Sequence, residues 1–154
     1  MILQTPDHSR WRRYSGGFTL IELMVVIAVV AVLSNIAVST YRAYVLRAAR
    51  TEGRMALLAI QVAQEKFFLQ NNQYAQDIPT VIAAPPAGLG VNLTAGGVTS
   101  GGNYTISFSA VTPSTYTLQA VATGTQTKDT AACLTFTIDD QGTRTPADAT
   151  GCWK

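Results

Sequence analysis

Residues 18–38 read FTLIELMVVIAVVAVLSNIAV and contain a single charged side chain, Glu22. An apolar run of about 20 residues is long enough to cross the ~30 Å hydrocarbon core of a bilayer as an α-helix. A carboxylate inside such a helix costs roughly 2.5–3.5 kcal/mol, even on the most lenient insertion scale. No basic side chain stands three or four residues from Glu22. The sequence therefore predicts that the partner of this carboxylate comes from another chain.

A short basic segment precedes the apolar run. It contains Arg10, Arg12 and Arg13 and ends in Gly16-Gly17. One interpretation is a signal anchor whose glutamate lies near the membrane interface. The string GFTLIELM, residues 17–24, provides a second one, because it resembles the signature of type IV prepilins and type II secretion pseudopilins.

This resemblance implies a processing site and an assembly contact. In these families a membrane-embedded prepilin peptidase cleaves after the glycine and methylates the new N-terminus. That places the cleavage between Gly17 and Phe18, and the methyl group on Phe18. Glu22 becomes the fifth mature residue and pairs with the α-amino group of a neighbouring subunit. Because such a pair is stronger in a filament core of low dielectric than at a surface, Glu22 is expected to set the register between subunits.

The resemblance also implies a location. Residues 1–17 are expected to be a leader peptide, and residues 18–40 a transmembrane helix that later forms the filament core. The N-terminus would be cytoplasmic and the C-terminal domain periplasmic in a single-pass inner-membrane protein, which then enters an extracellular pilus. Removal of the leader takes away three of the 11 basic and one of the nine acidic residues, so the mature side chains have no net charge.

The helical pattern continues past the apolar run. No proline occurs between Pro6 and Pro79, and residues 41–70 are rich in good helix formers. Type IVa pilins commonly carry a glycine and a proline where this chain has Ala31 and Ser39, and the absence of proline favours an unbroken helix. Apolar residues recur in the second half at spacings of three, four and seven, which predicts one face that packs on a sheet. Its members are Met55, Leu58, Ala59, Val62 and Leu69.

The remainder of the chain divides into a loop, residues 71–102, and a sheet, residues 103–154. The loop is rich in asparagine, proline and glycine. Alternation of apolar and polar residues with period two then predicts the strands of an antiparallel sheet. The predicted strands are residues 104–110, 116–122, 134–138 and, after a turn, 143–145. The fold class is therefore α+β, the type IV pilin fold, with a long N-terminal helix packed on a small sheet.

The two cysteines, Cys133 and Cys152, lie near the C-terminus with 18 residues between them. In an oxidising compartment, two cysteines and no third indicate one disulfide. A metal site would need more ligands, and the sole histidine, His8, lies in the leader. The sequence also has no phosphate-binding glycine loop after a strand. We therefore expect no metal, no other cofactor and no enzyme activity.

The segment from Cys133 to Trp153 resembles the tail of PilE-like minor pilins, in which such a bridge bounds the variable loop. The hypothesis is a minor pilin that supports pilus assembly, and through it twitching motility, adhesion or DNA uptake. Its expected partners are the prepilin peptidase, the assembly platform in the inner membrane, and other major and minor pilins. Three alternatives stay open: a major pilin, a type II secretion pseudopilin, and a pilus-borne adhesin or DNA receptor that contacts a host surface or DNA.

Overall fold

The structure is a computed structural model in which residues 17–147 and 151–153 are described. The predicted leader up to residue 16, with His8 and its arginines, lies outside the described residues. The chain forms two compact units, one ending at Ser39 and one beginning at Thr40. Each unit is described by itself.

A single helix, α1 (Leu20–Asn71), contains both the apolar run and the helix-forming segment after it. Its continuity confirms the prediction of an unbroken helix. Ser39 lies within it, and its hydroxyl donates a hydrogen bond to the carbonyl of Ile36 at 3.0 Å, which a helix tolerates. Within the described part of the chain, α1 is the one helix that is long and apolar enough to cross a membrane.

Four antiparallel strands form a sheet in the order β1-β2-β3-β4. They are β1 (Tyr104–Val111), β2 (Tyr116–Ala122), β3 (Thr135–Asp139) and β4 (Arg144–Thr145). Ile106 lies opposite Ala120, and Ala120 lies opposite Phe136. Since side chains alternate between the faces of a strand, this register places all three on one face. The α+β prediction of a helix packed on a small antiparallel sheet is confirmed.

The hydrophobic core lies between that face of the sheet and the inner face of α1. The buried helix residues are Gly53, Leu57, Ile60 and Gln64, at spacings of four, three and four. A Cβ at Gly53 would lie 2.8 Å from Cγ of Tyr104, whose ring is fully buried. A glycine inside a helix ordinarily weakens it by about 1 kcal/mol relative to alanine. The structure shows instead that it lets α1 approach β1 closely.

The predicted sheet-facing stripe of α1 is wrong for four of its five members: Leu58 is partly buried against the core, but Ala59 is exposed. Met55, Val62 and Leu69 are 61%, 72% and 86% exposed, so they point away from the core. The helix carries two stripes with helical spacing, and periodicity alone does not say which of them meets the sheet. The inner stripe was less visible in the sequence because two of its four members, Gly53 and Gln64, are not apolar.

The predicted loop 71–102 contains a short helix, α2 (Ile78–Ile82). Asp77 caps it by accepting a hydrogen bond from the backbone N–H of Thr80 at 2.7 Å, the usual function of an aspartate in that position. The loop is held to α1 by the buried Gln64. Its amide donates to the carbonyl of Ala75 and accepts from the N–H of the same residue, both at 2.8 Å.

Candidate functional site

The predicted cleavage site precedes the first turn of α1. Gly17 and Phe18 are exposed and lie outside the helix, and Phe18 is 85% exposed. Among the described residues, a Cβ built on Gly17 would meet no atom within 4 Å apart from those of its chain neighbours. The described part of the fold therefore places no demand for glycine at position 17, and a requirement for it would come from an enzyme that binds this segment.

Glu22 lies in the first turn of α1, where Thr19 caps the helix. The hydroxyl oxygen of Thr19 accepts a hydrogen bond from the backbone N–H of Glu22 at 3.2 Å. Thr19 and Glu22 thus occupy the two positions of a capping box, and a carboxylate near a helix N-terminus is favoured by the helix dipole. Capping is a local role for Glu22, separate from pairing with another chain, and it must be tested apart from pairing.

The large apolar side chains that the structure describes in the first unit are exposed. From Leu20 to Val38 every large apolar residue has at least half of its surface accessible, with exposed fractions between 50% and 76%. An apolar surface of this size is incompatible with a monomer in water. This part of α1 therefore needs lipid or the helices of other chains around it.

A second exposed apolar surface, the outer stripe, runs along α1 within the second unit. Its members lie seven residues apart: Tyr41, Ala48, Met55, Val62 and Leu69. Residues seven apart lie almost above one another along an α-helix, so these side chains share one exposed face. The outer stripe is therefore a candidate contact surface for another helix.

An ion pair joins the inner side of α1 to the 3₁₀ helix Gly124–Lys128 and the residue after it. The Arg50 guanidinium donates two hydrogen bonds to the Asp129 carboxylate, from Nε at 2.7 Å and from Nη2 at 2.6 Å. The bond from Arg50 lowers the pKa of the Asp129 carboxyl, and the same contact raises the pKa of Arg50. Both groups are therefore charged across the physiological pH range.

A buried glutamine, Gln126, also joins α1 to the 3₁₀ helix Gly124–Lys128. The Gln126 amide donates to the carbonyl of Leu46 and to the hydroxyl of Tyr104, both at 3.0 Å. Burial raises the pKa of Tyr104 to about 12, so its hydroxyl remains protonated at neutral pH. The sequence offered no signal for Gln126, because its partners lie up to 80 residues away.

Glu52 holds the loop in front of β1. Its carboxylate accepts hydrogen bonds from the N–H of Gly101 at 2.6 Å and from the Asn103 amide at 2.5 Å. Burial by itself would raise the pKa of Glu52, but hydrogen bonds from Thr99, Asn103 and Gly101 lower it. This carboxylate is therefore a structural acceptor for the loop.

The disulfide joins the short 3₁₀ helix Ala131–Cys133, which precedes β3, to the C-terminal segment. Cys133 and Cys152 are bonded, with their Cα atoms 5.4 Å apart, and both are buried. Next to it, the Trp153 ring packs edge-on against Phe136, with ring centroids 5.4 Å apart. The exposed Arg144 guanidinium lies 5.3 Å from the centroid of the same ring. The bridge thus supports a surface with one cation and one aromatic ring.

Comparison with known proteins identifies two matching family profiles. Residues 39–137 match the family described as "Type IV minor pilin ComP, DNA uptake sequence receptor". Residues 12–34 match the "Prokaryotic N-terminal methylation motif". The first match covers more than half of the chain. The second includes the whole GFTLIELM string.

Curated relatives include major pilins. The chain is 34% identical to the type IV major pilin protein PilA of Myxococcus xanthus over 80 residues, 52% of this chain and 36% of that protein. It is 35% identical to a type IV major pilin protein PilE1 of Neisseria gonorrhoeae over 69 residues, 45% of this chain and 32% of that one. The chain thus spans about a third of the length of these relatives.

A solved type IV pilin from Shewanella oneidensis aligns with a TM-score of 0.47 and 22% identity. The alignment covers 71% of this chain and 98% of that one. The non-core minor pilin PilV of Neisseria meningitidis aligns with a TM-score of 0.44 and 21% identity, over 66% and 86% of the two chains.

Proposed function

We propose, from the premise that this chain belongs to the type IV pilin family, that it is a minor pilin. In this proposal the chain is anchored in the inner membrane by the first half of α1, with its C-terminal domain in the periplasm. It is cleaved by the prepilin peptidase and passes through the assembly platform into an extracellular pilus. The family profile across residues 39–137 supports the minor class. A major pilin remains the alternative, because the curated relatives named above are major pilins.

The observation that carries this proposal is the exposed apolar surface of α1. Its first half needs a lipid or protein environment, and a folded unit follows directly from Thr40. A filament of pilins supplies that environment by packing their apolar helices against one another. The outer stripe is a separate exposed apolar surface of the second unit, and we assign it to contact with other pilins.

Two steps of assembly involve residues at the N-terminus. Cleavage after Gly17 is supported by the exposure of that residue and by its position outside the helix. It creates an α-amino group on Phe18, which the same enzyme would methylate. The amine is then the cation that we assign as the partner of Glu22 in a neighbouring subunit. Opposite charges attract strongly where water is excluded.

Quantitative mass spectrometry of sheared pili tests the proposal. We expect the chain to be a trace component that begins at N-methylated Phe18, and Gly17→Ala to leave most of the precursor uncleaved. A dominant copy number would identify a major pilin instead. Absence from pili would indicate a secretion pseudopilin, and an intact N-terminus at Met1 in purified pili would contradict the assignment of the processing site.

DNA binding is a second candidate function, and the ComP family profile favours it. The cation and aromatic ring at Arg144 and Trp153 provide a surface of the right chemistry, because arginine binds phosphates and aromatic rings stack on bases. Since the mature side chains carry no net charge, such binding would depend on this local surface. It would make the chain a receptor carried by the pilus.

Arg144→Gln tests this second candidate. We expect the substitution to weaken binding of double-stranded DNA. The slope of the logarithm of the binding constant against the logarithm of the salt concentration should also decrease by about one, because one phosphate contact is lost. Gel-shift assays at two salt concentrations would measure both effects. Lys66→Gln is the matched control, since Lys66 is an exposed cation on α1. Equal DNA affinity of the two variants would exclude the Arg144 surface as the binding site.

A further inference from the structure

An open groove of about 560 Å³ lies beside the part of α1 that directly follows the apolar run. One wall is the helix and the other is the 3₁₀ helix Gly124–Lys128. The lining residues are Tyr41, Arg42, Val45, Leu46, Thr125 and Lys128. They combine two cations with one aromatic ring, two aliphatic side chains and one hydroxyl. None of these six residues is acidic.

The groove is held in place by buried contacts. Gln126 lies between Thr125 and Lys128, is 1% exposed and donates to the carbonyl of Leu46 on the facing helix. Asp129 follows Lys128 and makes the two-bond ion pair with Arg50. The backbone that carries Thr125 and Lys128 is therefore fixed against α1, and the separation of the two walls is set by the fold.

The charge inside the groove is positive. Asp129 is the nearest carboxylate along the chain, and Arg50 offsets its charge at a distance of 2.6 Å. Arg42 and Lys128 are both exposed and face the groove without an acidic residue in its lining. An anion that enters would therefore meet two uncompensated cations.

The position of the groove along the chain specifies which anion it would meet. The 19 helical residues from Leu20 to Val38 would span about 29 Å at 1.5 Å per residue, close to the ~30 Å thickness of the hydrocarbon core. Tyr41 comes three residues later, at the depth of the phospholipid headgroups. Tyr41 and Tyr44 are 68% and 69% exposed, and exposed tyrosines are enriched in that layer.

We propose that this groove binds the headgroup phosphate of an anionic phospholipid in the periplasmic leaflet of the inner membrane. Arg42 and Lys128 contact the phosphate, the Thr125 hydroxyl donates to it, and Tyr41 lies along the first carbons of the acyl chains. The inference rests on the proposed function in one respect, since it requires the chain to be inserted in the membrane before assembly.

The test is a titration of the full-length chain, in non-ionic detergent, with phosphatidylglycerol, followed by native mass spectrometry. We expect Lys128→Gln and Arg42→Gln each to weaken the affinity about fivefold, the effect of about 1 kcal/mol per basic residue near a lipid surface. Lys66→Gln is the matched control and should bind like the wild type, because Lys66 lies outside the lining of this groove. Phosphatidylcholine should bind more weakly than phosphatidylglycerol to the wild type.

Three results would overturn the inference. In the first, Lys128→Gln and Lys66→Gln bind phosphatidylglycerol as tightly as the wild type does. In the second, the wild type binds phosphatidylglycerol and phosphatidylcholine with equal affinity. In the third, an equal concentration of inorganic phosphate displaces the lipid. Carbonate extraction of cell membranes separates this inference from the proposed function. If the chain resists extraction and Lys128→Gln binds the lipid as tightly as the wild type does, the groove is rejected as the lipid site but the membrane anchor is not. A chain released by carbonate would reject the membrane anchor and the groove together.

Discussion

Glu22→Val is expected to abolish entry of the chain into filaments while leaving it in the membrane and still cleaved at Gly17. Valine removes the only charge between Phe18 and Val38, so the helix becomes more soluble in lipid. What is lost is the proposed pair with the α-amino group of a neighbour. Because removing one member of a buried ion pair leaves the other charge uncompensated, the mutant subunit should not be retained in register.

Glu22→Gln separates this charge effect from helix capping. Glutamine serves in a capping box as glutamate does, so the local hydrogen bond between the N–H of residue 22 and Thr19 should persist. If pairing with an amine is the function of Glu22, glutamine should fail in assembly as valine does. If capping is its function, the glutamine variant should assemble normally.

Immunoblots of membrane fractions and of sheared pili measure both steps. Cleaved Glu22→Val and Glu22→Gln chains should be present in membranes at wild-type levels and absent from pili. Glu22→Asp provides a further comparison, because it keeps the charge on a shorter side chain. Incorporation of Glu22→Val at the wild-type level would contradict the registration role of this residue.

Cys133→Ser is expected to lower the free energy of unfolding of the second unit by about 2–5 kcal/mol. The bridge closes a loop with a sequence separation of 19 residues, and the chain-entropy estimate for a loop of that size is about 3 kcal/mol. Both sulfur atoms also lie in the core cluster with Phe136. The substitution therefore loses a cross-link and places a hydroxyl in a buried apolar site.

Urea denaturation of residues 40–154 would give the free energy of unfolding for the wild type and for Cys133→Ser. The control is the double variant Cys133→Ser/Cys152→Ser. Since the cross-link is lost only once, the second substitution should add much less than the first. Thiol titration of the denatured, unreduced wild type should find no free thiol, and two reactive thiols would show that the bridge is absent from the purified protein.

The fold class was predictable because its signals are local. The apolar run 18–38 and the absence of proline up to Pro79 indicate one long helix, and α1 extends from Leu20 to Asn71. Alternation with period two indicated strands that lie within one or two residues of β1, β2, β3 and β4. Helix and strand periods are properties of neighbouring residues, so they can be read without knowledge of contacts. The small helix α2 was missed although its capping aspartate and proline are visible in the sequence.

The choice of the buried face of α1 was not predictable in the same way. Met55, Val62 and Leu69 have the spacing of a core stripe, but they form the exposed outer stripe. The buried stripe contains Gly53 because the Tyr104 ring occupies the space of its side chain. It contains Gln64 because the backbone of Ala75 needs a partner there. Both requirements come from segments more than ten residues away.

By itself the sequence determined the long helix, the strands, the single carboxylate of the apolar run at Glu22 and the processing motif at Gly17. The tertiary structure alone decided which helix face meets the sheet, and it joined Arg50 to Asp129 across 79 residues. It also built the basic groove between Arg42 and Lys128. The physical reason is that periodicity reports the shape of a local segment, whereas a groove or an ion pair depends on which distant segments meet. Which distant segments come into contact is decided only by the packing of the whole core.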